Sequence, residues 1–162
     1  MKTLIKNYTT DIPVERTIAE IQTLLAQNGA RGIALEYDER GTIKDIFFKI
    51  RLRDKELPFR LPSKPENVYA AVFAGMQYED RLRNERMKKA EAIAWRICKT
   101  WLEAQITLIN LEQAKLEEVF LPYLVLPGNT TLFETIDRNQ FCYRRSGVRN
   151  KPLVTSPFFR NL

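Results

Sequence analysis

Histidine is absent from this chain of 162 residues, and that removes most familiar hydrolytic and metal chemistry. Ser-His-Asp and Cys-His triads, two-histidine phosphoesterases, HExxH zinc sites and histidine-bearing deaminase sites all need an imidazole. The six glycines, at 29, 32, 41, 75, 128 and 147, match neither GxGxxG nor a phosphate-binding P-loop. A Mg²⁺ nuclease would cluster carboxylates, often with a lysine two residues after one of them, and no Asp or Glu here has Lys at that spacing. Asp38-Glu39 reads as a hairpin turn and Glu117-Glu118 as a solvated helix start. Two cysteines, Cys98 in a helical pattern and Cys142 in a polar stretch, point away from a structural disulfide and from zinc. The expectation is therefore a non-enzymatic protein with no catalytic residue, metal or cofactor.

What remains is binding chemistry, carried by cations interleaved with aromatic rings. The net charge of +6 comes from the C-terminal stretch: all 20 acidic residues precede Arg138, and residues 138–162 hold Arg138, Arg144, Arg145, Arg149, Lys151 and Arg160. Phe141, Tyr143, Phe158 and Phe159 lie among these cations. Such a segment can track a phosphate backbone and stack bases, while Phe158 and Phe159 also suit docking into a partner's groove. A second array is the alternation Phe47, Lys49, Arg51, Arg53, with Arg60 placed to join it from the next strand. An aromatic ring beside guanidinium groups on an open sheet is a platform for single-stranded nucleic acid. The third is Arg81-Leu82-Arg83-Asn84-Glu85-Arg86-Met87-Lys88-Lys89, where cations sit unfavourably at a helix N-terminus and point to use in phosphate contact.

The elements that must position these residues follow from periodicity. Residues 3–10 suit a first strand. Pro13 fits a first helical turn, Val14, Ile18, Ile21 and Leu25 form an apolar stripe, and Asn28-Gly29 supplies a left-handed stop. Ile33, Leu35 and Tyr37 alternate as a strand, 38–41 turns, and 42–53 form a longer strand with Ile46, Phe48, Ile50 and Leu52 on one face. After Asp54-Lys55, Leu57, Phe59 and Leu61 share a face of a third strand, and Pro58 assigns it to the sheet edge. Ser63 and Glu66 form a capping-box pattern for a helix through about Met76. A long helix over 83–111 carries a main stripe of Ile93, Ile97, Trp101, Ala104 and Leu108, flanked by Ala90, Ala94, Cys98 and Leu102. Residues 116–126 suit a short helix and an extended segment, and 131–136 a further turn or two. After Asp137 the periodicity ends.

Three stretches, Pro58-Phe59-Arg60-Leu61-Pro62, Ala94-Trp95-Arg96-Ile97-Cys98-Lys99-Thr100-Trp101-Leu102-Glu103-Ala104-Gln105 and Glu118-Val119-Phe120-Leu121-Pro122-Tyr123, together resemble a group of small bacteriophage and prophage proteins. The resemblance covers roughly residues 8–136. It carries over no activity and implies a phage-like, cytoplasmic setting, acting on nucleic acid or on the host.

The sequence therefore predicts a two-layer α+β fold: an antiparallel β-meander, one N-terminal helix and a C-terminal pair of helices, one of them long. One domain spans 1–137 and a basic extended tail 138–162. No apolar run reaches the roughly 20 residues of a membrane span, and the N-terminus lacks a signal-peptide pattern, so the expected location is cytoplasmic. The expected role is nucleic-acid-binding accessory protein, preferring single strands. Lys49, Arg51, Arg53, Arg86, Lys88, Lys89, Arg144 and Arg145 would contact phosphates, and Phe47 and Tyr143 would stack on bases. Two other roles stay open: a protein–protein module engaging a host factor or self-assembling through the tail, and a protein holding a small phosphorylated ligand among converging arginines.

Overall fold

In the computed structural model, which describes residues 10–73 and 80–145, Pro13 stands at the N-cap of helix α1 (Val14–Gln27). Thr17, Ile18, Ile21 and Leu25 give α1 one buried face. It ends where the amides of Asn28 and Gly29 take up the carbonyls of Leu25 and Ala26, with Gly29 at φ +92°, a conformation that costs glycine nothing. Three antiparallel strands follow, β1 (Ala30–Tyr37), β2 (Ile43–Leu52) and β3 (Lys55–Arg60), in the order β1-β2-β3. Asp38 closes the first turn: its Oδ1 accepts from the amides of Arg40 and Thr42 at 2.9 and 2.8 Å. Pro58 lies on β3, the edge strand its missing N–H requires. The strand expected over 3–10 lies almost wholly outside the described residues.

Helices α2 (Pro65–Phe73) and α3 (Asp80–Asn110) complete the helical layer. Ile46, Phe48 and Ile50 of β2 meet Ile18, Ile21 and Leu25 of α1 and Trp95, Cys98, Leu102 and Ile106 of α3 in one core. This corrects the phase expected for α3. The face turned to the sheet runs through Trp95, Cys98, Leu102 and Ile106, whereas Ala104 and Leu108 are exposed. Apolar side chains surround α3 between Ala90 and Cys98, so periodicity there cannot select one face.

The chain then adds α4 (Leu116–Phe120), a 3₁₀ turn at Leu121–Tyr123, a short ribbon of β4 (Val125–Leu126) and β5 (Thr130–Thr131), and α5 (Leu132–Arg145). Phe120 enters the core against Phe48, Phe59 and Trp101 at centroid distances of 5.5, 6.0 and 5.9 Å. Helix α5 continues to Arg145, past Asp137, so residues 138–145 are helical where an extended tail was expected. The capping box also differs. Ser63 Oγ is buried without a hydrogen-bond partner among the described residues, while Thr131 and Glu134 form a reciprocal box at the start of α5, with Thr131 N–H to Glu134 Oε2 at 2.8 Å and Glu134 N–H to Thr131 Oγ1 at 3.2 Å.

Candidate nucleic-acid interface

With α1 and α3 packed on one face of the sheet and the start of α5 meeting the other at Arg60, the rest of that second face is set by the register of β2. Directly paired residues of antiparallel strands point the same way. The outer face is thus built from the rows Ala34–Phe47–Arg60 and Gly32–Lys49–Pro58, then Arg51 opposite Glu56. Gly32, Ala34 and Pro58 keep the platform low around Phe47 and Lys49. Phe47 is half-buried between its neighbours, and Lys49 and Arg51 are exposed.

Charge is graded along this face. At the β1–β2 turn end, Lys44 pairs with Glu36 and Asp45 at 3.6 and 3.9 Å. Arg60, the expected recruit from β3, does stand beside Phe47, but its guanidinium is committed. It donates to Glu134 Oε1, lies 4.0 Å from Asp45 Oδ1 and reaches the carbonyl of Asn129 at 3.5 Å. Burial pushes the Asp45 carboxyl above its usual range, more than Arg60 and Lys44 pull it down. Burial also pushes Glu134 up, but there the Thr131 amide and Arg60 together prevail and hold it below its usual range.

At the opposite end the cations are unpaired. Lys49, Arg51 and Arg53 form no ion pair with any described residue, and neither does Arg31, which the sequence reading passed over. Arg31 is the extra residue of a β-bulge: Ala30 pairs with Ile50 and Gly32 with Lys49, leaving Arg31 without a ladder partner. Bulges re-aim a side chain, and no simple residue pattern announces one. Arg53 occupies the β2–β3 turn at φ +54°.

The cations of α3 are placed elsewhere and differently. Lys89 Nζ donates to the Thr10 carbonyl at 2.5 Å and to Asp11 Oδ1 at 2.6 Å, so its charge is met within the chain. Arg86 lies over the Phe73 ring, 5.6 Å from its centroid, tying α2 to α3. Lys88 is exposed and, with Lys89, lines a cavity of about 630 Å³ beside Asp11, Glu15, Glu85 and Glu91 at the start of α1. The unpaired arginines lie at the other end of α1, against Ala26 and Gly29. The 14 residues of α1 separate the two groups by about 21 Å at 1.5 Å per residue. The structure therefore brings together Phe47, Lys49, Arg51 and Arg53, and sets Arg86, Lys88 and Lys89 apart from them. Tyr143, Arg144 and Arg145 fall on α5, whose side chains beyond Arg138 lie outside the description, as do Phe158 and Phe159.

Among the described residues, no group of three His, Cys, Asp or Glu could hold a metal ion, and no helix is long and apolar enough to cross a membrane. No family model, curated protein or solved structure matches the chain.

Proposed function

We propose that this chain is a non-enzymatic accessory protein that binds single-stranded nucleic acid on the outer face of its sheet. One observation carries the reading: Lys49 and Arg51 stand exposed and without an ion pair to any described residue, beside Phe47 on a face lowered by Gly32, Ala34 and Pro58. Phosphates would pair with Lys49, Arg51 and Arg53, and a base would stack on Phe47, a sequence-tolerant contact worth about 1–3 kcal/mol. An open sheet face favours splayed bases over a duplex, whose bases are already stacked. The likeness of three segments to phage proteins fits such a role, and the cations after Arg145 would extend the track. Fluorescence anisotropy with single-stranded DNA, RNA and duplex of one length, across a salt series, tests it. Tighter binding of single strands with a steep salt slope is expected, and a shallower slope on deleting residues 146–162. Equal affinity for duplex, or no salt dependence, would refute it.

A protein–protein role draws on a different region. Phe133 and Ile136, one turn apart on α5, are 58% and 48% exposed. Loss of a partner or oligomer in a Phe133→Ser/Ile136→Ser variant, with nucleic-acid binding intact, would favour this second reading.

A further inference from the structure

Arg31, Arg51 and Arg53 line an open concavity of about 470 Å³ with Ala26, Gly29, Ala30 and Ile50. No described acidic residue lines it. Asp54 and Glu56, the nearest acids along the same hairpin, form no ion pair with these arginines. Three cations gathered in so small a space repel one another, and the backbone that gathers them is unusual at two points. Arg31 is the extra residue of a bulge, and Arg53 is a non-glycine residue in the left-handed region. Arg51 is steadied by its own hydrogen bond, Nε to the Arg53 carbonyl at 3.3 Å, which leaves its terminal nitrogens free to donate. The concavity borders the end of α1, where the Leu25 and Ala26 carbonyls accept from the amides of Asn28 and Gly29, and the negative end of the helix dipole there offsets only part of three positive charges.

An anion is what this arrangement lacks, and the number of arginines speaks to its charge. A phosphodiester carries one negative charge. A phosphate monoester carries close to two near neutral pH and presents three acceptor oxygens, and guanidinium forks bind such oxygens in pairs. The concavity also lies at the end of the platform rather than along it, after Arg51 where β2 turns into β3.

We infer that the Arg31–Arg51–Arg53 concavity is a seat for a phosphate monoester dianion. Resting on the function proposed above, its source is the terminal phosphate of a strand lying along Lys49 and Phe47. The same chemistry could come from a free phosphorylated small molecule, and the experiment separates the two.

Internally labelled thymidine oligonucleotides carrying a 5′-phosphate, a 3′-phosphate or hydroxyls at both ends are titrated by anisotropy against the full chain and against Arg31→Gln and Arg53→Asn. Asn tolerates the left-handed conformation, so the second variant removes charge without adding strain. Thymidine 5′-monophosphate, with thymidine as control, is titrated by calorimetry against the same proteins. The expected result is about tenfold tighter binding of one phosphorylated end, a ratio that falls to about one in both variants. If no oligonucleotide binds but thymidine monophosphate binds the natural chain and neither variant, the seat stands and the single-strand reading falls. If oligonucleotides bind equally whatever their ends and thymidine monophosphate does not bind, the seat is overturned and the single-strand reading survives. Binding of neither probe overturns both.

Discussion

Removing Lys49 and Arg51 removes two exposed charges that form no ion pair with a described residue, so the effect on strand binding can be worked out in advance. Each phosphate neutralised on a single strand contributes about 0.7 to the slope of log affinity against log salt. Lys49→Gln/Arg51→Gln should therefore lower that slope by about 1.4 and weaken binding about 25-fold at 0.1 M salt. Both side chains are exposed and outside the core, so the variant's stability should change by no more than about 0.5 kcal/mol. Lys89→Gln removes the same kind of charge from a different setting. Lys89 is already held by Asp11 at 2.6 Å, about 21 Å along the fold from the arginine group, and its loss should leave the slope unchanged. Phe47→Leu gives a third signature: affinity falls by the stacking contribution, about 1–3 kcal/mol, with no change of slope. Anisotropy on a thymidine oligonucleotide from 50 to 300 mM salt, ~six-fold in ionic strength, resolves such slopes. A loss of slope of about 0.7 in Lys89→Gln, half that of Lys49→Gln/Arg51→Gln, would show that binding follows total charge and not this face.

The two carboxylates around Arg60 should respond in opposite directions. Asp45→Asn should be neutral or stabilising by up to about 1 kcal/mol at pH 7, since burial of the charge outweighs its two distant cations, whereas Glu134→Ala should cost about 1–2 kcal/mol by losing the α5 cap and the Arg60 pair. Thermal melts read this at roughly 2–4 °C per kcal/mol for a chain of this size. With its folded pKa raised, Asp45 penalises the fold above that pKa, so the advantage of Asp45→Asn should fade as pH falls through it. Glu134, with its pKa lowered, stabilises above its unfolded value and loses that contribution as pH falls through the folded one. Cys98 is buried in the core and its thiol is pushed up to about 12 by that burial, so in a Cys142→Ser background a disulfide reagent at pH 8 should label the chain only after denaturation. Labelling of the native protein at the rate of a free thiol would contradict that packing.

Local rules were legible where one residue type decides a conformation. Pro13, the α1 stripe and Asn28-Gly29 fix the ends and face of α1, and the two-residue alternation from Ile46 to Arg51 separates core from platform. The same rules misled where two of them compete. Ser63-Lys64-Pro65-Glu66 and Thr131-Leu132-Phe133-Glu134 carry one capping pattern, and only the second forms it. Proline drives the residue before it out of the helical region, so Lys64 cannot be the first helical residue and α2 starts at Pro65. Ser63 is then one residue too early to cap. The α3 phase failed for another reason: Trp95 and Ile106 face the sheet, but apolar neighbours on other faces blur the stripe.

The candidate site was half legible, and the missing half concerns pairing in space. Counted along the chain, residues 1–137 have as many acids as cations, which suggests a neutral domain and assigns the basic character to the tail. In three dimensions the acids are drawn to particular cations. Glu20 takes Arg96 at 2.6 Å and Lys99 at 3.4 Å, and its carboxyl is lowered chiefly by the Arg96 hydrogen bond; Asp11 takes Lys89, and Glu134 takes Arg60. Several of these partners lie more than 70 positions apart in sequence, beyond the reach of any local pattern. Arg31, Lys49, Arg51 and Arg53 are left over at one end of the sheet. A balanced charge count is thus compatible with a locally cationic surface, because the balance is struck between residues and the field is set by positions. The same reasoning separates Lys89 from Arg51: both are cations in a formally neutral domain, and of the two only Lys89 is held in an ion pair by a described residue.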